Sequence, residues 1–188
     1  MANHIVLIGP VASGKSSVSE CLSRCLHLPR ISLDDSVYYR KIFREAGYDE
    51  AYAGVLREKD WKEYLLYREP FYLLLIEKAL SMPVDHVIDF GAPHSVLFGK
   101  GNPERLSMLM APVKDIILLL PVEDVERTKV ILLERKTKDY PLDEEAFLAL
   151  NDRFLKSDAN KQLAKRTVYT YDRTPKQVCK LILSLLDR

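Results

Sequence analysis

One stretch near the N-terminus restricts what this chain can fold into. Residues 9–16 read Gly-Pro-Val-Ala-Ser-Gly-Lys-Ser: a glycine, four residues, a second glycine, a lysine and a hydroxyl. The apolar run Ile5-Val-Leu-Ile8, entered at His4, has the look of a buried strand. Behind it, Val18, Cys21, Leu22, Cys25 and Leu26 recur at the spacing of one helix face. A strand, a glycine-bounded loop and a helix in that order form the context in which such a loop cradles phosphate. Gly9 and Gly14 can adopt backbone angles closed to other residues and let the chain approach a ligand. The loop N–H groups then turn inward as an anion nest, joined by the positive end of the following helix. Residues Gly9, Pro10, Val11, Ala12, Ser13, Gly14, Lys15, Ser16 and Ser17 are therefore expected to bind the phosphates of ATP. Lys15 is placed to reach the β- and γ-phosphates, and the Ser16 hydroxyl to ligate Mg²⁺.

The rest of the chain alternates short strands with helices. Strands are expected at 28–33, 86–89, 115–120 and 166–169, the run Asp115-Ile-Ile-Leu-Leu-Leu120 being apolar enough for burial on both faces. Helices are expected at 36–46, 61–80 (interrupted by Pro70), 103–110, 122–136, after Asp143, and after Thr174-Pro175. Residues 48–59, which contain Gly54, show no clear period and read as loop or irregular helix. This order predicts a three-layer α/β/α fold with a five-stranded parallel sheet. It predicts one domain over 1–188, with an acceptor-binding insertion at about 36–81 and a lid at about 134–153.

Composition sets limits on partners. Lysine plus arginine total 28 and aspartate plus glutamate 27, so net charge exerts no general pull toward nucleic acid or membrane. No run reaches the ~18 apolar residues of a spanning helix, and no signal peptide is visible. A cytoplasmic protein, monomeric or homodimeric, is expected. The three cysteines, Cys21, Cys25 and Cys179, lie on apolar helix faces without metal-type spacing and read as buried thiols.

Chemistry beyond phosphate binding needs further groups at the same sheet edge. Asp34 and Asp35 follow the second strand. Asp34 is expected as the base that takes a proton from an acceptor hydroxyl, and Asp35 as a helix cap. Asp89, ending Val-Ile-Asp, is a candidate Mg²⁺ ligand, with Gly91 beyond it leaving room for the acceptor. Arg68 suits an anionic or polyhydroxylated acceptor, or an ion pair with Glu63 or Glu69. Arg135, in a basic segment at 127–138, is placed as a lid cation stabilising transferred charge, with Arg153 as a second acceptor contact.

These motifs together resemble the nucleoside-monophosphate-kinase group of P-loop kinases, shikimate kinase and its relatives in particular. The resemblance rests on 9–17, the acid pair, Tyr67-Arg-Glu69, Gly91 and the basic lid, and spans nearly the whole chain. Ile31-Ser-Leu-Asp-Asp35 also resembles polynucleotide-kinase-type domains, in which the first aspartate is the base. Val168–Pro175 resembles the loop that flanks adenine. The pattern departs from shikimate kinase at Ser32-Leu33-Asp34, at the single glycine of Phe90-Gly91-Ala92, and in the lid motif. What the resemblance implies is an ATP- and Mg²⁺-dependent kinase acting on a hydroxyl of a small-molecule acceptor. The alternatives are a nucleotide or nucleoside kinase, and a regulatory ATPase with little turnover; a kinase of nucleic-acid ends fits the neutral charge less well.

Overall fold

A computed structural model describes residues 2–138 and 142–186. Five strands, β1 (Ile5–Ile8), β2 (Arg30–Ser32), β3 (Val87–Asp89), β4 (Asp115–Leu120) and β5 (Arg166–Tyr169), form one parallel sheet in the order β2-β3-β1-β4-β5. Nine helices join them among the described residues: α1 (Lys15–Leu26), α2 (Ser36–Glu45), α3 (Glu50–Lys59), α4 (Trp61–Leu80), α5 (Asn102–Met110), α6 (Val125–Glu134), α7 (Glu144–Lys156), α8 (Ala159–Leu163) and α9 (Pro175–Leu185).

Alternation along β1 divides the core in two. Ile5 and Leu7 face α1 and α9, packing with Val18, Leu22, Val178 and Ile182. Val6 and Ile8 face the other layer, where Leu73, Ile76, Leu106 and Phe43 close over the sheet. Each such side chain, taken fully out of water, contributes about 1.5–3 kcal/mol. Both faces are covered, which is why β4 tolerates its unbroken apolar run. The carboxyl ends of β1, β2 and β3 open onto one edge, which sets the phosphate loop, Asp34 and Gly91 side by side.

The structure differs from the sequence reading in three elements. Residues 50–59 form a regular helix, α3, capped by the Asp49 carboxylate on the Tyr52 N–H. Its pattern is weak because its only buried residue is Ala53, and it packs on α4 rather than on the sheet. Helix α4 runs through Pro70 as one element. Pro70 lies on the exposed side of the helix, where its ring does not disturb the core. The short helix α8 carries too few residues to show a period. Of the expected lid, residues 139–141 lie outside the described residues. Elsewhere the capping chemistry is as the sequence implies. Asp60, Asp143 and Thr174 each accept backbone N–H bonds at the start of their helices, Thr174 in a reciprocal box with Gln177.

Candidate active site

The phosphate loop leaves β1 in a backbone that only its own residues permit. Gly9 has φ 146°, and a Cβ there would stand 2.5 Å from the Leu119 carbonyl oxygen. Gly14 has φ 94° and caps α1 with no side chain, so the first-turn N–H groups stay bare; no atom lies within 4 Å of where its Cβ would be. The loop thus leaves room for an anion at the helix end. Lys15 is curled back into the loop, donating to the carbonyls of Gly9 (2.9 Å) and Pro10 (2.8 Å). Burial pushes its ammonium down to about 8, against the pull of Asp34 and Asp89. Two residues fix the loop from outside. Asn151 of α7 accepts the Val11 N–H (2.9 Å) through Oδ1. Ser13 is fully buried, and its carbonyl faces the Thr170 hydroxyl beyond β5.

A cleft of about 690 Å³ opens in front of the loop. One wall is Val11, Ala12, Gly14, Lys15, Ser16 and Ser17; the facing wall is Trp61, Tyr64, Leu65, Arg68 and Tyr72 of α4. Asp34 lies between them, and Thr137, Leu142 and Leu150 reach over the top. Adjacent residues leaving β2 diverge: Asp34 enters the cleft, while the Asp35 carboxylate accepts the N–H groups of Val37 and Tyr38 at the start of α2. Gly91 backs Asp34 so closely that a Cβ there would stand 2.0 Å from its carboxylate oxygen.

Arg68 has an unusual setting for a cation. Its guanidinium sits 5.0–5.9 Å from the ring centres of Tyr72, Tyr64, Phe43 and Tyr39 and donates to the Tyr64 hydroxyl (2.7 Å). Its Nε is enclosed without a partner, and no carboxylate pairs with it among the described residues. Glu69, the expected alternative partner, turns the other way and accepts the N–H groups of Phe98 and Gly99 and the Asn102 amide.

Asp89 is buried and anchored. Its Oδ2 accepts the Ser19 hydroxyl (2.8 Å) and the Arg30 guanidinium, while Oδ1 is buried with no partner. The orphaned oxygen and the exposed Ser16 hydroxyl are the hard oxygen donors that Mg²⁺ requires, so the donor set fits that ion. Arg135 ends α6 and donates to the Thr170 hydroxyl (2.9 Å) and carbonyl (3.0 Å); it does not line the cleft. Arg153 stacks on Phe98 at 4.3 Å beside a narrow cavity behind the aromatic wall.

Three residues of this region escape sequence reasoning. Arg30, Ser19 and Asn151 act through contacts 11–140 residues apart in the chain. His94 lies in the same region. It is buried against Tyr72 (4.5 Å) and Phe90 (6.3 Å), and burial pushes its imidazole down to about 4, so it is neutral near pH 7.

By sequence, no protein-family model and no curated protein matches the chain. By structure it is similar to shikimate kinase from Acinetobacter baumannii in complex with shikimate: 18% identity, TM-score 0.67, over 98% of this chain and 93% of that one. It is also similar to deoxyadenosine kinase from M. mycoides with bound dATP: 13% identity, TM-score 0.57, over 98% of this chain and 100% of that one. A gluconokinase from Sinorhizobium meliloti 1021 aligns at 16% identity and TM-score 0.56, over 97% of this chain and 90% of that one. Sheet order, phosphate loop and these full-length alignments agree: the chain has the three-layer fold of the P-loop kinases.

Proposed function

We propose that this protein transfers the γ-phosphoryl group of ATP, with Mg²⁺, to a hydroxyl of a small acceptor that carries an anionic group. Arg68 carries the reading. A guanidinium half-enclosed by four rings, with one N–H orphaned and no carboxylate partner, stands across the cleft from the phosphate loop. The rings and the Tyr64 hydroxyl hold the charge without neutralising it, and an acceptor carboxylate or phosphate would complete its pairing. The similar solved proteins include a shikimate kinase and a gluconokinase, named for hydroxy acids, which fits an anionic acceptor; the deoxyadenosine kinase, named for a neutral nucleoside, does not bear on the charge.

Each residue then has a task. The bare N–H groups of the loop and α1 hold the phosphates, and Lys15 exchanges the loop carbonyls for phosphate oxygens. Ser16 and Asp89 would hold Mg²⁺, which would supply neutralisation of phosphate charge. Asp34 accepts the proton of the acceptor hydroxyl as its oxygen bonds to phosphorus and the bond to ADP breaks. Arg68 fixes the acceptor, and Gly91 keeps the space beside Asp34 clear. Arg135, tied to Thr170, orients the loop beyond β5 next to the nucleotide rather than touching the acceptor. A second reading, a nucleoside or nucleotide kinase, is favoured by Trp61, Tyr64 and Tyr72, whose rings can stack a base.

The experiment is an ADP-release screen with Mg²⁺-ATP across hydroxy acids, sugar phosphates, neutral polyols, nucleosides and nucleotides. Acceptor-dependent release confined to anionic acceptors is expected. Release with neutral polyols alone would remove Arg68 from the reading, and none with any acceptor would favour a regulatory ATPase.

A further inference from the structure

Cys21 and Cys25 stand one turn apart on α1, and Cys179 meets them from α9. Their three sulfurs lie within 4.8 Å of one another, and all three cysteines are free thiols. The sequence reading of buried thiols does not describe this arrangement. Cys179 is buried, Cys21 is half-buried and Cys25 is exposed, so the cluster opens to solvent on one side. Packing accounts for Cys179 and Cys21, which belong to the core between these helices, but not for Cys25. The α1–α9 contact is already filled by Val18, Leu22, Val178 and Ile182, and an exposed Cys25 adds little to a core.

We propose that these three thiols form a site for one soft, closed-shell cation of the Cu⁺, Zn²⁺ or Cd²⁺ kind. Three sulfurs bound at about 2.3 Å to a shared ion stand about 4 Å apart, so the cluster needs only small side-chain rotations to close. A donor set of sulfur alone selects soft cations over Mg²⁺ and Ca²⁺. Cys25 provides the route of entry, and Cys179 the buried end. Burial and then the neighbouring thiols push the Cys179 thiol far above its ordinary value, so it keeps its proton while the cluster is empty. Binding forms sulfur–metal bonds at the expense of thiol protons, which pass to solvent, so affinity rises with pH. The ion would staple the helix that begins at the phosphate loop to the last helix of the fold. The site is independent of the acceptor chemistry and stands or falls apart from it.

The test is a Cd²⁺ titration of the full chain, kept reduced with a phosphine in excess Mg²⁺. It follows the ultraviolet sulfur-to-cadmium charge-transfer band, thiol reactivity and melting temperature. Saturation at one Cd²⁺ per chain is expected, with three thiols protected from an alkylating reagent and a raised melting temperature. Cys25→Ser, at an exposed position, should keep the fold and weaken binding at least tenfold, and Cys21→Ser and Cys179→Ala should do the same. No band at one equivalent overturns the site, as does a band unchanged in Cys25→Ser. Should Cys179→Ala fail to fold, the intensity of the charge-transfer band in the unmodified protein decides, since it scales with the number of sulfur–cadmium bonds: two bonds in place of three also overturn the site.

Discussion

The phosphate loop and the aromatic wall of α4 face each other across one cleft and are built on opposite principles. The loop works through its backbone. Its glycines open space, its N–H groups point inward, and its conformation recurs wherever that pattern stands between strand and helix. The wall works through side chains. Arg68 is defined by Tyr39 and Phe43 of α2 and by Tyr64 and Tyr72 of α4, a set with no fixed spacing. Phe43 also packs against Tyr48 and Phe71, so the aromatic residues of the insertion extend the core that covers this face of the sheet. A site built from backbone is general to a fold; a site built from side chains is particular to one ligand. The phosphate-loop side of the cleft is therefore common property of the fold, while the α4 side holds what is individual.

The largest expected effect separates chemistry from binding between the two walls. Asp34→Asn should lower acceptor-dependent turnover by roughly 10²–10⁴ with ATP affinity nearly unchanged. Lys15→Ala should lower both. If Asp34→Asn loses ATP affinity as strongly as turnover, the division of labour fails. Parallel ATP-binding and steady-state measurements on both variants decide this.

A smaller effect tests the wall alone. Arg68→Gln removes a charged contact worth about 1.5–3 kcal/mol, which is roughly a 10- to 150-fold rise in KM for an anionic acceptor. The KM for ATP and the rate with a neutral acceptor should stay within about twofold, because the loop is untouched. An equal rise in the ATP KM would mean that Arg68 serves the nucleotide.

The smallest effect reads the floor where the two sides meet. His94 has a folded pKa of about 4, below its unfolded value of 6.5, so the unfolded chain binds the extra proton first as pH falls. Its contribution costs no stability above pH 6.5 and removes stability between 6.5 and 4, amounting to about 2 kcal/mol at pH 5. His94→Gln should flatten that part of the profile in urea unfolding at pH 7 and pH 5. An unchanged slope would mean that His94 is not sealed from solvent.

What the sequence discloses follows the same division. The loop at 9–17, strands β4 and β5 and most helix caps were legible because each depends on neighbours in the chain. The split of Asp34 into the cleft and Asp35 onto α2 followed from the divergence of adjacent residues at a strand end. The aromatic setting of Arg68, the anchoring of Asp89 by Arg30 and the hold of Asn151 on Val11 were not legible. Each depends on which helices cross in space. The thiol cluster failed for the same reason, since Cys179 comes from the far end of the chain. Helix α3 was missed because it packs on another helix and shows almost no apolar stripe.

Helix α4 also fixes its own reading frame. Arg68 and Glu69 are consecutive, yet one turns a positive charge into the ring cage and the other turns a buried negative charge onto the N–H groups of Phe98 and Gly99. One residue added or lost between Trp61 and Arg68 would rotate the downstream part by about 100° relative to the start of the helix. The cation and the anion could not both find their places again. The pair thus works as a key cut for one rotation, and this segment should tolerate many substitutions but almost no change in length.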